Sequence, residues 1–142
     1  MEYTIHTDGG ARGNPGPAGI GFVISDESGK IVKKVGAYVG VQTNNWAEYE
    51  ALIYALTELK KIIPKEKREQ VRVDVRMDSE LVVKQLNGEY QIKEESMQKQ
   101  FIRVWNLRVG EFPNINFSHI PREKNKEADL LYNKALDAHE SR

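Results

Sequence analysis

YTIHTDGGARGNPGPAGIGFVISDESGKIVKKVGAYVG, residues 3–40, decides the fold class of this chain. YTIHTD alternates apolar and polar residues, and GIGFVIS and KIVKKVGAYVG read as two further strands parted by the turn-like DESG. Three strands in succession predict a meander. Downstream the period changes: after Asn44 and Asn45, Leu52, Ala55, Leu56, Leu59, Ile62 and Ile63 recur at spacings of three and four until Pro64, which predicts a helix. The charged KEKREQ connector leads to VRVDVRM, whose Val71, Val73, Val75 and Met77 share one face of a strand. Asp78 and Ser79 open a short helix that closes near Asn87 and Gly88. A further helix is marked by Met97, Phe101, Val104, Trp105 and Val109, and INFSHI is a fifth strand. Asn125 is placed to cap a last helix with Ala128, Leu131, Tyr132 and Ala135 on its inner side. The order β-β-β-α-β-α-α-β-α predicts an α/β fold, a mixed central sheet with helices on both faces.

The 142 residues suit one domain, and no Gly/Ser-rich linker, low-complexity tract or internal repeat divides them, so a single domain over 1–142 is expected. Only 39% of residues are hydrophobic and they fall in short segments, which excludes a helical membrane span. The first ten residues lack the basic and apolar regions of a secretory signal, so a cytoplasmic location is the expectation. The absence of cysteine excludes disulfides, thiolate metal sites and a cysteine nucleophile. With 21 basic and 21 acidic residues, nucleic acid could be held only by a local patch and not by bulk charge.

Four acids stand where a soluble domain ordinarily has apolar or neutral residues. Asp8 ends the first strand before a glycine-rich loop, and Asp78 ends the fourth strand before a helix, the strand ends at which ligands collect in open sheets. Glu48 precedes Leu52 by four residues and so shares the inward face of its helix. Asp129 lies in the first turn of the last helix, where the helix dipole favours an anion. Singly, each has a structural explanation as turn former, cap, ion-pair partner or dipole complement. Brought together, they would repel one another unless a cation neutralised them, and hard oxygen donors suit Mg²⁺ or Mn²⁺.

Four segments, TDGGARGNPGPAGIGFVI, TNNWAEYEALIYAL, DSELVVKQLNGEY and PREKNKEADLLYNKALD, resemble in order the motifs of the ribonuclease H type 1 family and cover most of the chain. The resemblance implies a five-stranded mixed sheet, three antiparallel strands followed by parallel ones, with flanking helices. It implies a metal-dependent endonuclease that cuts the RNA strand of RNA–DNA hybrids, leaving 5′-phosphate and 3′-hydroxyl ends. The family's catalytic and metal-holding carboxylates fall on Asp8, Glu48, Asp78 and Asp129. Asp8 would bridge two divalent ions, Asp129 would help hold the one that activates water, and Glu48 with Asp78 the one near the leaving oxygen. Mg²⁺, with Mn²⁺ as the alternative, is the implied cofactor. Gly9, Gly10, Asn14, Asn44 and Asn45 match positions that contact 2′-hydroxyls in the minor groove, and Thr43 with Asn14 resembles the pocket for a DNA phosphate, beside which Trp46 could pack.

His119, ten residues before Asp129, has the spacing of a loop histidine that assists the reaction in some members, although here it falls inside a predicted strand. Arg122 and Glu123 in the following loop are the other candidates for that role. No room remains for the basic helical insertion of some relatives, and no hybrid-binding domain is expected ahead of the first motif, so grip on the substrate would come from scattered residues such as Lys84, Lys93, Lys99 and Arg103. Glu80 stands where members often have glutamine, and Tyr132 where alanine is common; Tyr132 reads as core filling. The competing expectations are a catalytically silent hybrid-binding module and a relative acting on DNA alone. No obligate protein partner is implied, and a monomer is expected.

Overall fold

β1 (Glu2–Ala11), β2 (Gly16–Asp26) and β3 (Ile31–Gln42) form the meander, each strand antiparallel to the next, with β2 buried on both faces over most of its length. The structure is a computed structural model and describes residues 1–141. Two parallel strands extend the sheet on the other side of β1: β4 (Arg72–Met77) pairs with it and β5 (Ile115–His119) pairs with β4. The order across the sheet is β3-β2-β1-β4-β5.

Helix α1 (Asn44–Ile62) starts where Thr43 Oγ1 accepts from the Trp46 amide at 3.2 Å, and it buries Leu52, Ala55, Leu56 and Leu59 in one core with Ile5, Phe22, Val73 and Val75. Burial of such side chains contributes roughly 1.5–3 kcal/mol each. Helices α2 (Glu80–Leu86) and α3 (Glu95–Gly110) cover the same side, and α4 (Lys126–Glu140) covers the other. Consecutive residues show the two layers: Gly9 faces Ala47 of α1 and Gly10 faces Tyr132 of α4. The approach of α4 depends on glycine. A Cβ at Gly21 of β2 would stand 2.2 Å from the Ala128 carbonyl oxygen, and one at Gly36 of β3 would stand 2.3 Å from that of Leu131.

Several side chains differ from the sequence expectation. Ile62 is exposed while Ile63 is buried, because the chain leaves helical geometry at Ile63, whose amide still bonds to Leu59 O. On α3, Trp105 and Val109 are exposed and the inward residues are Met97, Gln100 and Val104. The KEKREQ connector forms a 3-10 turn, Lys65–Gln70, with a structural role: Arg68 donates to the carbonyls of Ile63 and Lys60 at 3.0 and 2.8 Å and pairs with Glu111 at 2.6 Å, closing the end of α1 onto that of α3. Asn125 occupies the cap position of α4, but its side chain makes no capping bond. Among the described residues no helix is long and apolar enough to cross a membrane.

Candidate functional site

The parallel register of β1 on β4 pairs Thr7 with Met77, so the next residues, Asp8 and Asp78, emerge side by side where β4 ends. Asp8 does not end its strand as the sequence predicts, because pairing with β2 carries β1 on to Ala11. Glu48 reaches the same point from the first turns of α1, because the contact between Gly9 and Ala47 holds the helix against the end of β1. Carboxylate oxygens of Asp8, Glu48 and Asp78 lie within 4.8 Å of one another. Asp8 is 5% exposed and Glu48 7%.

The crowding has an electrostatic signature. Burial, then the neighbouring Asp78, pushes the Asp8 carboxyl from 3.8 up to about 7, although the Gly9 amide donates to Asp8 Oδ1 at 2.9 Å. Burial and Asp8 raise the Glu48 carboxyl well above the ordinary glutamate value. Glu48 Oε2 is buried without a hydrogen-bond partner, an arrangement that costs free energy unless a cation or proton occupies the cluster. All donors are carboxylate oxygens, so these residues fit a hard divalent ion and not a thiophilic one.

Asp129, in the first turn of α4, lies outside the 4.8 Å group, yet its charge adds to the upward push on Asp8. Two asparagines missed by the sequence reading serve the outer acids. Asn125, 1% exposed, donates from Nδ2 to Thr7 O at 2.8 Å and to Asp78 Oδ2 at 3.3 Å, joining β1, the end of β4 and the start of α4. Asn133 donates from Nδ2 to Asp129 Oδ1 at 3.3 Å and to Asp129 O at 3.0 Å. Tyr132 is not plain core filling. A Cβ on Gly10 would lie 3.0 Å from its hydroxyl, and burial with the charges of Asp8 and Asp129 raises its pKa, so the phenol borders the acidic cluster. The spacing of three residues after Asp129 was the available signal.

The glycine and amide motifs form a rim beside these acids. Gly9 and Gly10 end β1, Asn14 lies in the exposed loop before β2, and Thr43, Asn44 and Asn45 begin α1. Asn14 Oδ1 accepts from the Asn44 amide at 3.0 Å, and Asn44 Oδ1 accepts from the Ala11 amide at 2.7 Å, so the loop and the helix start are one unit. His119 is held at the end of β5, opposite Met77 and exposed, and Arg122 and Glu123 are exposed in the 3-10 turn Arg122–Lys124. Of the scattered cations, Lys84 pairs with Glu80 at 2.9 Å, Lys99 with Glu95 at 3.8 Å and Arg103 with Glu50 at 2.7 Å, which leaves them less free for phosphates than the sequence suggests.

A model of the reverse transcriptase-like family matches residues 6–135. Ribonuclease HI of Halobacterium salinarum is 39% identical over 130 residues, which cover 92% of this chain and 62% of that protein. A bifunctional protein of Mycobacterium tuberculosis is 39% identical over 140 residues, and there the chain spans about a third of the relative's length, 36%. Among solved structures, LC11-RNase H1 in complex with RNA/DNA hybrid superposes with a TM-score of 0.92 at 49% identity, covering 96% of this chain and 98% of that one.

Proposed function

Since the chain belongs to the reverse transcriptase-like, ribonuclease H-like family, in its short form, we propose that residues 1–142 act as one catalytic domain that hydrolyses the RNA strand of RNA–DNA hybrids. The observation that carries this reading is the buried, mutually repelling trio Asp8, Glu48 and Asp78 with an unpartnered Glu48 oxygen, set beside a rim of glycine and short amides. Asp8, Glu48, Asp78 and Asp129 would hold two divalent ions, Mg²⁺ or Mn²⁺, which when bound lower the pKa of water and stabilise the displaced 3′ oxygen. The products are then a 5′-phosphate and a 3′-hydroxyl.

The chain's own residues do the rest. Asp8 is pinned by the Gly9 amide, and Asn125 fixes Asp78 relative to it. Gly9 and Gly10 are buried against Ala47 and Tyr132, where no side chain fits, so only their main-chain groups would serve the substrate, and Asn14, Asn44 and Asn45 supply amides to 2′-hydroxyls. Thr43 with Asn14 receives a phosphate of the DNA strand. His119 or Arg122, both exposed near the open end of the sheet, assists product release.

A cleavage assay on labelled hybrid, duplex RNA and duplex DNA, with chelator or with Mg²⁺ or Mn²⁺, tests the proposal. Metal-dependent cleavage confined to the RNA strand of the hybrid is expected, together with its loss in Asp8→Asn. Full activity of that variant, or equal cleavage of duplex DNA, would overturn it.

A further inference from the structure

Asp129 differs from the other three acids in how it is held. Asp8 is buried and bonded to the Gly9 amide, Glu48 is enclosed, and Asp78 receives the Asn125 amide, whereas Asp129 stands half-buried on a helix surface. Its main chain is fixed by the bond from its amide to Asn125 O, but that bond leaves the side-chain torsions free. Among the described residues the one side chain bonded to its carboxylate is Asn133, a helical turn further on.

An asparagine amide can present either its oxygen or its nitrogen, so Asn133 alone does not orient a carboxylate. Arg12 resolves the choice. Its Nη2 donates to Asn133 Oδ1 at 3.1 Å and to Asn133 O at 3.3 Å. A guanidinium has no acceptor, so Asn133 Oδ1 must face Arg12 and Nδ2 must face Asp129. Arg12 is itself braced, with Nη1 2.8 Å from Asp137 Oδ1 and 2.9 Å from Glu140 Oε2. These acids are largely exposed, so the pairs contribute little, and the bonds to Asn133 are the ones that bear on Asp129. Arg12 also belongs to the loop between β1 and β2 that carries Gly13 and Asn14.

We propose that Arg12 and Asn133 are positioning residues that orient the Asp129 carboxylate toward the ion site and tie it to the loop that meets the substrate. This rests on the reading of Asp129 as a metal ligand. Outer partners of metal ligands commonly account for 10–100-fold in metal affinity, and a surface carboxylate with one side-chain partner belongs at the lower end, about 10-fold.

The test is calorimetric titration with Mn²⁺, alongside the Mg²⁺ dependence of hybrid cleavage. The binding event lost in Asp129→Asn identifies the site concerned. In Asn133→Ala that event should weaken about 10-fold, and the Mg²⁺ concentration for half-maximal cleavage should rise equally, with the rate recovered at saturating Mg²⁺ and KM for hybrid changed less than about twofold. Arg12→Ala should show the same shift, and the double variant should be no worse than Asn133→Ala. Asp137→Asn with Glu140→Gln, which keeps the Arg12–Asn133 bond, should bind Mn²⁺ as the parent does. An unchanged affinity in Asn133→Ala, or fully additive effects of the two substitutions, overturns the inference. Absence in the parent of any event that Asp129→Asn removes would overturn the ligand reading beneath it.

Discussion

Without divalent cations, Asp8 should weaken the fold, and by an amount the structure sets. Burial, with Asp78 beside it, moves its carboxyl from 3.8 to about 7. The folded-state value lies above the unfolded one, so the folded protein holds the proton more tightly. Its stabilising contribution is fully present below about pH 3.8 and is lost as pH rises through about 7. An interval of about 3 pH units at about 1.4 kcal/mol each gives an upper bound of about 4 kcal/mol. Asp8→Asn keeps the shape and the oxygen that accepts from Gly9 but carries no charge at any pH. Part of the proton belongs to Glu48, so we expect the variant to exceed the parent by about 2–4 kcal/mol at pH 8 in chelator. Unfolding entropy of about 2 cal/mol/K per residue converts this to a rise of roughly 7–14 °C in Tm for a chain of this length. Thermal melts of both proteins at pH 4, 6 and 8 provide the measurement. The difference should nearly vanish at pH 4, and Mg²⁺ at about 100 times its Kd should return about 2.7 kcal/mol to the parent at pH 8. A variant no more stable than the parent at pH 8, or a difference independent of pH, would refute the reasoning.

Gly21→Ala should destabilise by at least about 3 kcal/mol in urea unfolding, because the new methyl group meets the Ala128 carbonyl oxygen at 2.2 Å and α4 must move with Asp129. Asn125→Ala leaves Thr7 O without its donor and Asp78 without its amide, so a loss of about 2 kcal/mol in urea, with weaker Mg²⁺ dependence of cleavage, is expected. Comparison of single-turnover with steady-state cleavage in His119→Ala and Arg122→Ala should show the steady-state rate alone reduced in one of them; two unchanged rates would remove both from product release.

Much of the fold was legible in local pattern. Period-two alternation marked the strands and three-to-four spacing marked the helices, since each reflects which face of an element is covered. The errors lie where burial is decided by neighbours distant in sequence. Trp105 and Val109 have helical spacing but face outward, because α3 turns Met97, Gln100 and Val104 toward α1. Arg68 looked like one of many soluble charges, and only the meeting of the ends of α1 and α3 makes it a clasp.

The site divides the same way. That Glu48 faces inward follows from its four-residue distance to Leu52, and that Asp78 follows the end of its strand from the apolar alternation before it; both are properties of one element and need no partner. The end of β1, at Ala11 and not at Asp8, is instead set by its pairing with β2. That the three acids share one point is a tertiary fact, set by the pairing of Thr7 with Met77 and by the bare Cα of Gly9 against Ala47. Asn125 bonding to Thr7, 118 residues away, and Arg12 to Asn133, 121 away, have no sequence signature at all. A side-chain hydrogen bond is directional and short-ranged, so its partner exists only after the sheet and α4 have packed.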